Sequence, residues 1–193
     1  MKLTLDDISD LREYERERDE FLARIIDVKK KRRIGVGPFV TLVFENRETI
    51  RFQIQEMARA ERMLTDEAIQ TELDTYNPLI PEKGRLSATL FIELTSKGEL
   101  EEWLPRLVGI ERAVQLRVGG EVVRATPEAA HASQLTRDDM TASVHYVWFE
   151  LTEAQVAAFA GATVVVEVDH PAYEHATTLP EVSKAELLAD LSG

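Results

Sequence analysis

The chain has 193 residues, of which 44% are hydrophobic, so length and composition predict one folded domain, residues 1–193. It contains no cysteine, which excludes disulfides, thiolate-held metals and a cysteine nucleophile. The net charge of −12 disfavours nucleic acid and anionic membranes as partners, and the acidic N-terminus and lack of a long apolar run predict a cytoplasmic location.

Apolar residues at helical spacing predict a long N-terminal helix, from Leu5 to about Arg32, with Thr4 as its N-cap and at most one break. Its middle, Arg12–Glu20, is nearly all charged and predicts a solvated face or a partner surface. The helix closes with five cations, Lys29–Arg33. We interpret this run as a helix end rather than a phosphate-binding patch, because cations complement the negative end of the helix dipole and no aromatic residues interleave it.

The next segments predict a hairpin, with strands over residues 39–45 and 49–55 and a turn at Asn46–Arg47. Alternation of apolar and polar residues supports the second strand. Further strands are predicted over 86–94, 114–118, 121–125, 144–151 and 163–168, and further helices over 56–76 with a break at 65–66, 99–107, 153–159 and 181–191. Because hairpins dominate over strand–helix–strand units, we expect an α+β fold with a mostly antiparallel sheet, packed helices and the long N-terminal helix.

A set of arginines and amides follows the predicted turn and is the first candidate ligand site. Arginine forks and amides hold carboxylate or phosphate groups, although the same residues can also form ion pairs along a helix. The candidate ligand-binding residues are Arg47, Arg51, Gln53, Gln55, Arg59 and Arg62.

Two histidines continue apolar strand faces and form the second candidate site. If their strands pair in antiparallel fashion, His145 and His170 lie close together at one sheet edge, and a carboxylate such as Glu93 or Asp169 completes a transition-metal site. The alternative is two separate structural histidines, one packed in the core and one at the turn before Pro171. Sequence spacing leaves both open, because no His-Glu-x-x-His motif is present.

The sequence contains none of three common phosphate-binding and nucleophile motifs. The chain lacks the Gly-x-x-x-x-Gly-Lys phosphate loop, the Gly-x-Gly-x-x-Gly turn and the Gly-x-Ser-x-Gly nucleophile elbow. Whether the protein is an enzyme is therefore left open.

Several strings resemble the signature of a prokaryotic family, the domain-of-unknown-function 3501 family. They are Leu5–Ile8, Tyr14–Arg16, Glu45–Thr49, Phe52–Met57, Arg59–Arg62, Ser87–Glu93, Val144–Val147 and Asp169–Pro171. The resemblance spans nearly the whole chain and implies a single domain. Because members are associated with genes for rubrerythrin-like peroxidases and iron–sulfur oxidoreductases, it also implies a role beside peroxide defence or electron transfer.

Three functional hypotheses follow. The first is a non-catalytic accessory protein that binds a redox protein partner or a small anion through Arg47–Arg62. The second is a metal-binding protein or metalloenzyme that uses His145 and His170. The third is a structural homo-oligomer whose charged helix, Arg12–Glu20, contacts neighbouring copies.

Overall fold

A computed structural model of the chain, which describes residues 1–128 and 139–193, has an α+β fold built on antiparallel sheets. The helices are α1 (Leu11–Arg32), α2 (Arg47–Glu61), α3 (Asp66–Tyr76), α4 (Lys97–Arg106), α5 (Glu153–Phe159) and α6 (Glu181–Ser192). The strands are β1 (Arg33–Val36), β2 (Val40–Phe44), β3 (Arg85–Ile92), β4 (Val114–Val118), β5 (Glu121–Arg124), β6 (Thr126–Pro127), β7 (Val144–Glu150), β8 (Val164–His170) and β9 (Tyr173–Thr178). The predicted fold class and long N-terminal helix are confirmed.

The strands form two sheets, and every pairing within the described ranges is antiparallel. The first sheet has the order β1-β2-β3-β7-β6, and the second has the order β5-β4-β8-β9. The strands predicted over 114–118 and 121–125 are confirmed and form a hairpin, since Val118 pairs with Glu121 across the Gly119–Gly120 turn between β4 and β5.

The main hydrophobic core joins the two sheets. Leu42 and Leu90 of the first sheet belong to the same buried cluster as Leu116 and Val166 of the second, and α6 adds Leu187. A second buried cluster, centred on Ile50 of α2 and Leu73 of α3, packs the helices against the other face of the first sheet. The first sheet therefore lies between the second sheet and a helical layer.

Local signals set the helix starts. Asp10 caps α1 by accepting from the backbone N–H groups of Arg12 and Glu13, after a separate 3-10 turn over Leu5–Asp7. Thr65 caps α3 by accepting from the N–H of Ala68, so the predicted break in the 56–76 helix is confirmed.

One predicted element is wrong: residues 49–55 belong to helix α2, not to a strand. Asn46 and Thr49 form a reciprocal capping box, in which each side chain accepts from the other's backbone N–H at 2.9 Å. Ile50 and Ile54, which suggested strand alternation, are also four residues apart and share the buried face of this helix. A segment this short fits both the two-residue period of a strand and the helical period. The capping box at Asn46 favours the helix.

The basic run lies at the C-terminal end of α1, as predicted, and it also forms ion pairs between α1 and α6. Arg32 is buried and pairs with Asp190 through two hydrogen bonds of 2.6 and 3.1 Å. Lys31 pairs with Glu186 at 3.1 Å. Across residues 1–128 and 139–193, no helix is long and apolar enough to cross a membrane.

Candidate functional site

The helix-facing side of the first sheet carries polar residues where a covered sheet face is normally apolar. On β2, Leu42 and Phe44 enter the main core, whereas Thr41 and Val43 point to the opposite face, and Glu45 follows them just after the strand. Polar residues buried under packed helices need hydrogen-bond partners, and a bound ligand can be one of them. This face is therefore the candidate site.

The register of the sheet extends this polar face across two more strands. Val43 lies opposite Thr89 of β3, and Thr89 lies opposite Tyr146 of β7. Phe91 lies on the same face as Thr89, because it is two residues further along β3 and side chains alternate along a strand.

A cavity of about 270 Å³, which we call the helix–sheet pocket, lies between this face and the helices. The polar residues that line it are Lys29, Arg33, Glu45, Thr49, Gln53 and Thr89, and its aromatic residues are Tyr76, Phe91 and Tyr146. This mixture of apolar walls and a few convergent polar groups is typical of sites for small molecules.

Glu45 lines the helix–sheet pocket and is buried, with only 8% of the residue exposed. Its Oε1 accepts a hydrogen bond from Thr89 Oγ1 at 2.5 Å, and its Oε2 accepts one from Thr49 Oγ1. Helix α2 begins two residues later, at Arg47, so the positive end of its dipole also favours a negative charge at this position. These contacts offset part of the cost of burying the carboxylate.

Tyr146 keeps a neutral hydroxyl group in the pocket. Burial raises the pKa of Tyr146, and the hydrogen bond and charge of Tyr76, together with the charge of Glu45, raise it further. Tyr146 therefore stays protonated at physiological pH and offers a hydroxyl rather than a phenolate.

Two cations that are less buried than Glu45, Lys29 and Arg33, also line the pocket and differ in their pairing. Arg33 forms an ion pair with Glu93, which also accepts from Thr41 Oγ1 at 2.6 Å. The Thr41 hydrogen bond and then Arg33 hold the pKa of Glu93 below its usual value. Lys29 is half-buried, and its Nζ lies 5.1 Å from the centroid of the Phe52 ring. Within the described part of the chain, Lys29 forms no ion pair.

Two of the four arginines predicted to bind a ligand contact the N-terminal segment instead. Arg47 Nη2 pairs with Asp7 Oδ1 at 2.6 Å, and its Nε donates to the Met1 carbonyl at 3.2 Å. Arg51 Nε donates to the Asp7 carbonyl at 2.7 Å. These contacts attach residues 1–7 to α2.

The remaining members of the predicted set differ in their surroundings. Gln55 is fully buried and binds both backbone groups of Ser9, accepting from its N–H at 3.0 Å and donating to its carbonyl at 2.9 Å. Arg59 pairs with Glu15 at 2.6 Å, and Arg62 is exposed at the C-terminal cap of α2. Gln53 alone of the six lines the helix–sheet pocket. Ligand binding by this set stays a prediction.

The two candidate metal-binding histidines lie in different sheets, so their strands do not pair. His145 is in β7, where its Nε2 donates to the Ala142 carbonyl at 2.9 Å and contacts Thr141 Oγ1 at 2.8 Å. Burial lowers the pKa of His145, although the charge of Glu111 opposes this shift. His170 ends β8, and its Nε2 donates to the Val108 carbonyl at 3.2 Å.

The third candidate metal ligand, Glu93, contacts Arg33 and Thr41 instead. No three His, Cys, Asp or Glu side chains in ranges 1–128 and 139–193 are grouped so that they could hold a metal ion. Metal binding by His145, His170 and Glu93 stays a prediction, and these contacts are those of separate structural residues.

Sequence reasoning missed most of the pocket. Glu45 is one of 35 acidic residues, Lys29 belongs to a helix-ending run, and Tyr146 lies inside a predicted strand with no chemical motif around it. One signal was available: Thr41, Val43 and Glu45 alternate with large apolar residues in a strand whose other face is wholly buried.

Comparisons with known proteins confirm the resemblance. A family model described as a protein of unknown function, DUF3501, matches residues 2–191. The chain belongs to the DUF3501 family. No protein with curated annotation matches it.

A solved structure supports both the family and the fold. The crystal structure of a novel protein of unknown function from Burkholderia pseudomallei is 39% identical, with 100% of each chain covered and a TM-score of 0.91. Neither match carries an activity, so function in this DUF3501 protein has to be argued from the pocket itself.

Proposed function

We propose that this protein binds a small anionic molecule in the helix–sheet pocket and acts as a binding or accessory protein. The observation that carries the proposal is Lys29, a half-buried ammonium at the pocket that forms no ion pair among the described residues. A partly desolvated cation without a counter-ion attracts an anion more strongly than a solvated one. Its neighbours differ, since Lys30 pairs with Asp27 and Lys31 with Glu186.

The rest of the pocket supports a specific ligand rather than a loosely held ion. Arg33 lies near Lys29, the Gln53 amide can donate and accept, and Tyr76 and Phe91 offer flat apolar walls. The volume of about 270 Å³ is at the small end for ligand pockets, so a metabolite fits better than a nucleotide.

The wider role is a further part of the proposal and rests on the family resemblance. An accessory protein of redox or peroxide-defence systems, with a redox protein as partner, is compatible with a small-ligand pocket. We also propose that residues 1–193 act as one domain, because the Arg32–Asp190 pair joins the first helix to the last. The cysteine-free, acidic composition supports a cytoplasmic location.

The proposal is tested by measuring the binding of small carboxylates and phosphates at low salt, by calorimetry and by NMR shifts of the pocket residues. We expect Lys29→Gln to weaken binding by about tenfold or more, because a hydrogen bond to a charged group contributes about 1.5–3 kcal/mol. The matched control is Lys30→Gln, which makes the same charge change at an exposed neighbour paired with Asp27.

Binding that is equally strong in the wild type and in Lys29→Gln would contradict the proposal. So would shifts that map away from the pocket. Native mass spectrometry of the freshly purified protein would add the mass of any ligand that it carries.

A further inference from the structure

Charged residues of both signs line the helix–sheet pocket. Lys29 is half-buried and Arg33 is exposed, whereas Glu45 is buried. A simple anion would be attracted to the two cations and repelled by the carboxylate. The pocket therefore favours a ligand that carries a hydrogen-bond donor or a positive charge in addition to its anionic group.

Glu45 keeps hydrogen-bonding capacity that its threonine partners do not use. Each oxygen of an ionised carboxylate has two lone pairs, and here Oε1 accepts from Thr89 while Oε2 accepts from Thr49. One acceptor position therefore remains on each oxygen, in a side chain that lines the cavity. Unused acceptors on a buried carboxylate favour a ligand group that donates.

We infer that the ligand is a small amino acid or hydroxy acid, with its carboxylate toward Lys29 and its ammonium or hydroxyl group toward Glu45. This inference rests on the proposed function, because it assumes that the pocket is occupied. Since a cavity of about 150 Å³ holds the six carbon atoms of benzene, about 270 Å³ admits a ligand of roughly ten non-hydrogen atoms. The aromatic walls of Tyr76 and Phe91 suit the methylene groups between the two polar ends.

A series of five-carbon acids of equal length tests the inference. Pentanoate carries only the anion, 2-aminopentanoate and 5-aminopentanoate add an ammonium group, and 2-hydroxypentanoate and 5-hydroxypentanoate add a hydroxyl group. We expect the wild type to bind at least one donor-bearing acid ten times or more as tightly as pentanoate. The substituent position that gives the tighter binding, 2 or 5, reports the distance between the group that binds the carboxylate and the group that accepts from the donor.

Variants test the two contacts separately. Glu45→Met, which removes both acceptor oxygens at similar side-chain length, is expected to reduce the preference for the donor-bearing acid to less than threefold while pentanoate binds at least as well as before. Lys29→Gln is expected to weaken all the acids by similar factors. Circular dichroism checks that each variant is folded. If Glu45→Met is not folded, Glu45→Asp, which withdraws the carboxylate by one methylene group, should reduce the preference at least threefold.

The failures are distinguishable. If pentanoate binds in a Lys29-dependent way and as tightly as every donor-bearing acid, the ligand class is overturned and anion binding stands. If the preference survives in Glu45→Met, Glu45 is not the acceptor and the inference fails. If none of the five acids binds, both the inference and the proposed function for this pocket fail.

Discussion

Arg32 joins the first and last helices through an ion pair that is largely shielded from water, and its removal should destabilise the whole chain. Its side chain is 3% exposed and that of Asp190 is 15% exposed. Nη1 donates to Asp190 Oδ2 at 2.6 Å and Nη2 to Oδ1 at 3.1 Å, which is the bidentate geometry. Arg32→Met keeps most of the side-chain volume and leaves Asp190 without this partner. Glu186, which also accepts from Arg32 Nη2 at 3.4 Å, keeps its ion pair with Lys31.

The cost can be bounded from these exposures. Removing one partner of a buried pair costs about 3–5 kcal/mol, because the other charge stays buried and unpaired. Since Asp190 is partly exposed, water can reach its carboxylate, and we expect the lower end, about 3 kcal/mol. For a chain of this length that corresponds to a fall in the melting temperature of roughly 6–12 °C.

The assay is urea unfolding followed by circular dichroism, with the free energies compared at equal m-values. The matched control is Lys31→Met, which removes a neighbouring, half-exposed cation paired with Glu186 and should change stability by less than about 1 kcal/mol. The double variant Arg32→Met with Asp190→Leu should recover most of the loss, since apolar replacement of a buried pair is often neutral. A loss below about 1 kcal/mol for Arg32→Met, or no recovery in the double variant, would refute the reasoning.

Two further predictions concern the turn after β1 and the contact between α1 and α2. Gly37→Ala should lower the free energy of unfolding by about 2 kcal/mol or more, because Gly37 has a φ of +77° and an added Cβ would lie 2.5 Å from the His175 ring. The control Gly35→Ala, which has open space around its Cβ, should be nearly neutral. Equal losses of stability in the two variants would contradict this prediction. The hydrogen bond from Arg18 holds the pKa of Glu56 below its usual value, so this carboxylate contributes stability above its unfolded pKa of about 4.3 and loses it as the pH falls through the folded pKa. Glu56→Gln should therefore show a smaller loss of melting temperature between pH 5 and pH 3 than the wild type, and parallel curves would count against it.

Local sequence signals account for much of the fold. The helix over residues 153–159 begins and ends where its pattern predicts, and the Gly119–Gly120 turn specifies its hairpin. These elements are determined by interactions between residues close in sequence, such as a cap or a tight turn. The strand predicted over 49–55 failed for the same kind of reason, because its decisive signal was the Asn46 cap rather than alternation.

By itself, the sequence determined the family, the α+β class and the long basic-ended helix, because periodicity, turn residues and characteristic strings are local properties. Tertiary structure alone decided that His145 and His170 lie in separate sheets, that Gln55 binds the backbone of Ser9, and that Lys29 and Glu45 line the same pocket. These outcomes depend on which strands pair and which helix covers which sheet face. Such choices join residues far apart in the chain, where no local pattern records the partner.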